Sequence, residues 1–164
     1  MKIYYREKSG GIEILRCFGI EGRVEIPGMI DDKLVISAAP YAFSSHMDEK
    51  EELKNASLWE VSEGLGFGRE EHVLAGNDVE EIVFPYTLKE IGRYIFYGCG
   101  NLKKLEFSDS LMQIGCGAFT GCHALEKLTV HMRQGKKSGV KEMLGEMWQR
   151  IDVNFLSEYE AVSY

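Results

Sequence analysis

Two stretches of this sequence are nearly the same: Ile91 to Lys104 reads IGRYIFYGCGNLKK, and Ile114 to Lys127 reads IGCGAFTGCHALEK. Aligning the longer segments Ile82 to Lys104 and Leu105 to Lys127 gives 9 identities in 23 positions. They are Phe84/Phe107, Leu88/Leu111, Ile91/Ile114, Gly92/Gly115, Phe96/Phe119, Gly98/Gly121, Cys99/Cys122, Leu102/Leu125 and Lys104/Lys127. Most are apolar or glycine. Apolar side chains recurring at a fixed interval describe a coil that cannot bury its inner face alone and does so against the next coil. Parallel strands at one point of each coil sit about 4.8 Å apart, so Ile82, Leu105, Leu128 and Ile151 are expected to form one apolar ladder and Phe84, Phe107, Val130 and Val153 another.

The interval extends both ways from this core. Leu128-Thr129-Val130 and Ile151-Asp152-Val153 fall 46 and 69 residues after Ile82-Val83-Phe84. Between them Val140, Met143, Leu144, Met147 and Trp148 keep helical spacing, which predicts a helix from about Gly139 to Arg150 covering the last coil. Backwards, Trp59-Glu60-Val61 stands one period before Ile82, with Leu65, Val73 and Val79 matching Leu88, Phe96 and Leu102. Val24 to Phe43 reads as an earlier coil, lengthened by the acidic, helix-compatible insert Met47 to Leu58. Lys2 to Phe18 reads as two strands around a Ser-Gly-Gly turn, a hairpin closing the first end of the stack.

The expected architecture is an α/β solenoid of about 23-residue coils with an N-terminal hairpin cap and a C-terminal helix-strand cap, forming one domain over 1–164. Within it, 1–23 is the hairpin, 24–81 the degenerate coils, 82–130 the clear repeats and 131–164 the terminal cap.

Composition narrows the function. The chain has 164 residues, 45% hydrophobic and 27% charged, and no apolar run near the roughly 20 residues a membrane helix needs. The net charge of −7 is local: Asp48 to Glu81 holds 11 acidic and 3 basic residues, and the remainder is balanced. No clustered cations suit a phosphate backbone, so nucleic acid is not an expected partner. The start, MKIYYREKSGG, lacks the apolar region of a secretory signal, which points to a cytoplasmic protein with reduced cysteines.

The motifs LKEIGRYIFYGCGNLKKL (Leu88 to Leu105) and LMQIGCGAFTGCHALEKL (Leu111 to Leu128) resemble the BspA-like leucine-rich repeats of bacterial and protist proteins. The match is strict over about 82–130 and looser over Val24 to Phe43. The resemblance implies a right-handed leucine-rich-repeat solenoid used for protein binding or adhesion, sometimes displayed on a cell surface, with no catalytic residues to carry over.

Candidate sites are weighed against plain packing. Cys99 and Cys122 occupy equivalent points on adjacent coils, close enough for a disulfide, yet a small apolar thiol suits a tight inward position. Cys116, His123 and His131 have no zinc-ligand spacing, and no metal or cofactor is expected. Gly64-Leu-Gly-Phe-Gly68 lacks the Lys-Ser/Thr of a phosphate loop. Neither a nucleophile elbow nor a shared histidine site appears, so the chain is read as no enzyme, with a hydrolase or thiol-redox activity the least favoured alternative.

The outward rows carry the binding hypothesis. The period aligns Val83, Glu106, Thr129 and Asp152 in one row and Glu81, Lys104, Lys127 and Arg150 in another. Tyr86, Tyr94 and Tyr97 add contact area with a polar tip. These residues are the candidate surface for a protein partner. Open edges at the hairpin and at Ile151 to Phe155 make self-association the second reading.

Overall fold

The computed structural model describes residues 1–61, 70–134, 139–145 and 151–157. Strands dominate. In chain order they are β1 (Lys2–Lys8), β2 (Gly11–Gly19), β3 (Arg23–Glu25), β4 (Met29–Ile30), β5 (Lys33–Ala38), β6 (Ser57–Glu60), β7 (His72–Val73), β8 (Glu81–Val83), β9 (Glu90–Ile91), β10 (Lys104–Ser108), β11 (Gln113–Ile114), β12 (Lys127–Met132) and β13 (Asp152–Ser157). Among the described residues two short α-helices, α1 (Glu49–Glu52) and α2 (Val140–Leu144), accompany them.

The coils stack as two sheets. One is parallel throughout and runs β13-β12-β10-β8-β3. The other runs β11-β9-β5-β2-β1-β6, with β4 on β5 and β7 on β2; it is antiparallel where the hairpin β1–β2 and the strands β6 and β7 close the stack and at the β4–β5 turn of the first coil. Ile82 pairs with Leu105 and Leu105 with Leu128, all fully buried, so the apolar ladder read from the interval is the core of the molecule.

A second column is aromatic. Phe43 and Phe96 stack at 6.1 Å between centroids, Phe119 lies tilted to Phe96 at 5.6 Å, and Phe84 meets Phe43 edge-on and Phe96 at a tilt. Cysteine joins this column: the Cys99 thiol donates to the Phe43 carbonyl at 3.2 Å, and the Cys122 thiol donates to the Phe96 carbonyl at 3.3 Å. Each thiol thus bonds the phenylalanine of the preceding coil, which explains why Phe and Cys recur together.

Glycine recurs for lack of room. A Cβ on Gly92 would lie 2.4 Å from the Pro40 nitrogen, and one on Gly115 would lie 2.2 Å from the Arg93 nitrogen. At this corner each coil touches the backbone of the one before.

Two features differ from the interval's expectation. Val24, not Trp59, stands beside Ile82: β3 pairs in parallel with β8, while β6 pairs antiparallel with β1, with Trp59 opposite Ile3. An apolar triplet identifies a strand without identifying its neighbour, and Val61 is in fact 47% exposed. At the far end Leu128 faces Val153 and Val130 faces Phe155, two residues later than expected. The return through α2 takes 25 residues, and a slip of two keeps every side chain on its face. Helix α2 spans Val140–Leu144, with both end residues in the core; the remainder of the expected helix, Met147, Trp148 and Arg150 included, lies outside the described residues. Leu65 and the Gly64 to Gly68 segment also lie outside them.

The insert leaves the first coil at a fixed point. Buried Arg16 donates to the carbonyls of Tyr41, Ala42 and Ser44 and pairs with Glu49 of α1 at 2.9 Å. Asp48 caps α1 by accepting from the Glu51 N–H. The chain rejoins the stack at Leu74, and Gly76 N–H donates to the Phe43 carbonyl, closing the coil.

Candidate functional site

Alternation along the strands of the parallel sheet sends one set of side chains inward and the other to a shared outer face. The register defines the outer rows. One is Arg23, Glu81, Lys104, Lys127 and Asp152; the next is Glu25, Val83, Glu106, Thr129 and Asn154. Asp152 therefore stands beside Lys127 and not beside Thr129, whose neighbour is Asn154, because of the two-residue slip. Arg23 and Glu25 were not foreseen, since the sequence did not show that β3 adjoins β8.

The face is charged at one end. Arg23 donates to Glu25 at 3.1 Å and lies 3.6 Å from Glu81, and its pKa is raised chiefly by the Glu25 hydrogen bond. Lys104 and Lys127 are exposed, in register, and in no ion pair among the described residues. Like charges directly opposite repel, and here each lysine also has an acidic neighbour in the row, Glu81 beside Lys104 and Asp152 beside Lys127, which offsets that cost.

The other end is aromatic and amphipathic. Tyr86 is 42% exposed, with the Arg133 guanidinium 4.4 Å above its ring and the His131 ring 5.3 Å away. His131 Nε2 in turn meets Glu106 Oε1. Asp109 anchors this corner by accepting from the N–H groups of Arg133 and Gln134 at 2.9 and 2.7 Å. His131 comes two residues past Thr129 on β12, so the strand's alternation would have revealed it, whereas Arg133 follows the end of the strand.

The sheet thus brings Val83, Tyr86, Glu106, Thr129, Lys104, Lys127 and Asp152 onto one surface. Tyr94 and Tyr97 lie elsewhere, in the turn joining the sheets. There Tyr94 stacks on Tyr41 at 5.6 Å and meets Tyr97 edge-on, and His46 meets Tyr97 at 4.6 Å. Tyr41 and Tyr94 both hold positive φ, 60° and 52°, a costly geometry for a bulky residue. The matching Gly117 is bare, and the Tyr94 ring lies over it.

Burial pushes the thiols of Cys17, Cys99 and Cys122 up to about 12, which keeps them protonated and unreactive. Among the described residues no three His, Cys, Asp or Glu side chains gather as a metal would require. No described helix is long and apolar enough to cross a membrane.

Comparison with known proteins supports the fold and matches a repeat family over part of the chain. The BspA type leucine rich repeat region matches residues 70–141 in 6 copies. The structure of a leucine rich cell surface protein from Faecalibacterium prausnitzii A2-165 is similar at 18% identity and a TM-score of 0.50, over 79% of this chain and 31% of that one. The T. pallidum Leucine Rich Repeat protein is 23% identical over 76% of this chain and 67% of its own, with a TM-score of 0.35. This chain spans less than a third of the length of the first. No curated protein matches it.

Proposed function

We propose, from the premise that residues 70–141 belong to the BspA type leucine-rich repeat family, that this chain is a non-enzymatic module that binds another protein through the outer face of its parallel sheet. One observation carries this reading. Five strands in unbroken register present Arg23, Glu81, Lys104 and Lys127 beside Val83, Glu106 and Thr129, with Tyr86 at the border. Solenoids expose such rows as one extended surface, which suits a protein partner more than a small molecule. The mixture also fits an interface: an aromatic side chain with a polar tip, partly apolar centre, and charges at the rim that set orientation.

Lys104 and Lys127 are the residues that carry partner charge, because both are exposed and neither ammonium is held in an ion pair among the described residues, which leaves them able to meet an acidic partner. The test is a comparative pull-down from native lysate. Three baits are used: the intact chain, a Lys104→Glu/Lys127→Glu variant, and a Leu34→Glu control on the other sheet. Loss of a specific captured protein in the first variant alone supports the face. Identical captured sets with all three baits remove it.

A further inference from the structure

A different feature lies in the turn joining the two sheets. Tyr41, Tyr94 and Gly117 hold the same place in three successive coils. The Tyr41 N–H donates to the Arg93 carbonyl at 3.2 Å and the Tyr94 N–H to the Cys116 carbonyl at 3.1 Å, in each case the residue just before the next coil's counterpart. All three are left-handed, with φ of 60°, 52° and 65°. Glycine adopts that geometry freely, whereas a bulky side chain is strained in it. The other non-glycine residues with positive φ are Ser9, Asp31, Asp32 and Asn55, small polar residues that turns favour. Among the described residues, then, only these two tyrosines combine bulk with a left-handed backbone. Such strain persists where another requirement outweighs it, and it gathers at binding sites.

The two tyrosines begin a chain of four rings. Tyr41 stacks on Tyr94, Tyr94 meets Tyr97 at 84°, and Tyr97 meets His46 at 65° with centroids 4.6 Å apart. The three tyrosines are half-buried and His46 is exposed, so the cluster reaches solvent. Among the described residues none of the three hydroxyls makes a hydrogen bond, and neither does the imidazole. None of the four rings carries a cation over its face. The corner therefore offers aromatic surface and free hydrogen-bond donors, without charge to select an ionic ligand.

We propose that this corner is a second binding site, which takes a proline-rich segment of a partner protein in the polyproline II conformation. The chemistry of that ligand matches what the corner offers. Its rings are apolar and pack against aromatic side chains. Its carbonyls have no internal hydrogen bond and accept from outside donors, while each proline has no N–H that would need an acceptor. Tyrosine rings with hydroxyl tips supply both the apolar surface and the donors, as in the aromatic-lined surfaces that hold such segments elsewhere. The left-handed backbone at Tyr41 and Tyr94 is what sets two of these rings one upon the other in adjacent coils.

The test is calorimetric titration of the intact chain with a blocked decaproline peptide. A Gly-Ser peptide of equal length and the neutral saccharide maltoheptaose serve as comparison ligands. Decaproline should bind saturably with a Kd below about 1 mM, and the other two should not. Tyr97→Phe deletes one hydroxyl and keeps its ring, and should weaken binding about fivefold, the worth of one hydrogen bond. Tyr41→Asn/Tyr94→Asn removes two rings while supplying a residue that accepts positive φ, and should weaken it at least about tenfold. Should that double variant fail to fold, Tyr97→Phe and His46→Ala decide the matter by themselves. No saturable binding of decaproline, equal binding of the Gly-Ser peptide, a preference for maltoheptaose, or full affinity in both Tyr97→Phe and His46→Ala would each overturn the proposal. Lys104→Glu/Lys127→Glu should bind decaproline as the wild type does, so this result is independent of the pull-down.

Discussion

The coils beginning at Ile82 and Leu105 are nearly interchangeable, whereas the coil beginning at Val24 does the same structural work with 58 residues in place of 23. The regular coils keep every device: inward Ile or Leu, a touching glycine, a column Phe and a thiol on the preceding carbonyl. The first coil keeps the inward residues, Val24, Ala38 and Phe43, but has Ala39 where the next coil has Gly92. It adds the β4–β5 turn and sends the insert out between Ser44 and Leu74. The difference teaches that the stack needs only its inward contacts. Chain length between contacts is tolerated when both ends of an excursion are fastened, here by Arg16 on one side and the Gly76 to Phe43 bond on the other.

The strongest way to break this comparison is to empty the aromatic column. Phe96→Ala and Phe43→Ala should each cost about 3–5 kcal/mol in denaturant melts, as large-to-small changes at fully buried phenylalanines do. A much smaller effect at Phe43 would mean the first coil is not part of the same column. Next comes the coil corner. Gly115→Ala places a Cβ against the Arg93 backbone and should cost about 2–3 kcal/mol, whereas Ala39→Gly should cost about 1 kcal/mol or less. Equal costs would remove the close contact as the reason for glycine.

A pH titration sharpens the same contrast with smaller effects. Cys17 in the cap and Cys99 in a regular coil titrate at about 12 when folded, against a usual value of 9.0. A raised acid pKa contributes stability that is whole below pH 9.0 and is lost as pH rises toward about 12. The slope should be at most about 1.4 kcal/mol per pH unit for each thiol. With Cys122 raised to about 12 as well, Cys99→Ala should flatten it by about a third, and an unchanged slope would show that Cys99 is solvated. The smallest effect belongs to Lys104→Glu/Lys127→Glu, which should leave stability within about 0.5 kcal/mol because both residues are exposed.

The contrast also explains what could be read in advance. Between 82 and 130 each apolar position is fixed by two neighbours at one spacing, so the ladder, the Phe column and the rows through Val83, Glu106 and Thr129 were legible. The first coil was misplaced because Trp59-Glu60-Val61 has the same alternation as a ladder strand and stands at the right distance, while Val24 stands at the wrong one. Nothing in alternation separates strands of different sheets. The last strand slipped unnoticed because a shift of two preserves parity, which moved Asp152 into the wrong row. The contacts of Lys8 with Glu13 and Glu90 were illegible for a different reason: Lys8 and Glu13 come from the hairpin and Glu90 from a coil, and no interval connects hairpin to coil.

The most direct measurement is a crosslink between first and second coils. In a Cys116→Ser background, Glu25→Cys/Val83→Cys places two thiols on adjacent parallel strands about 4.8 Å apart, within disulfide range, and mild oxidation should join them. Glu60→Cys/Val83→Cys should stay reduced, since β6 belongs to the other sheet. A bond in the second pair and none in the first would contradict the stack and, with it, the continuous outer face from Arg23 to Lys127.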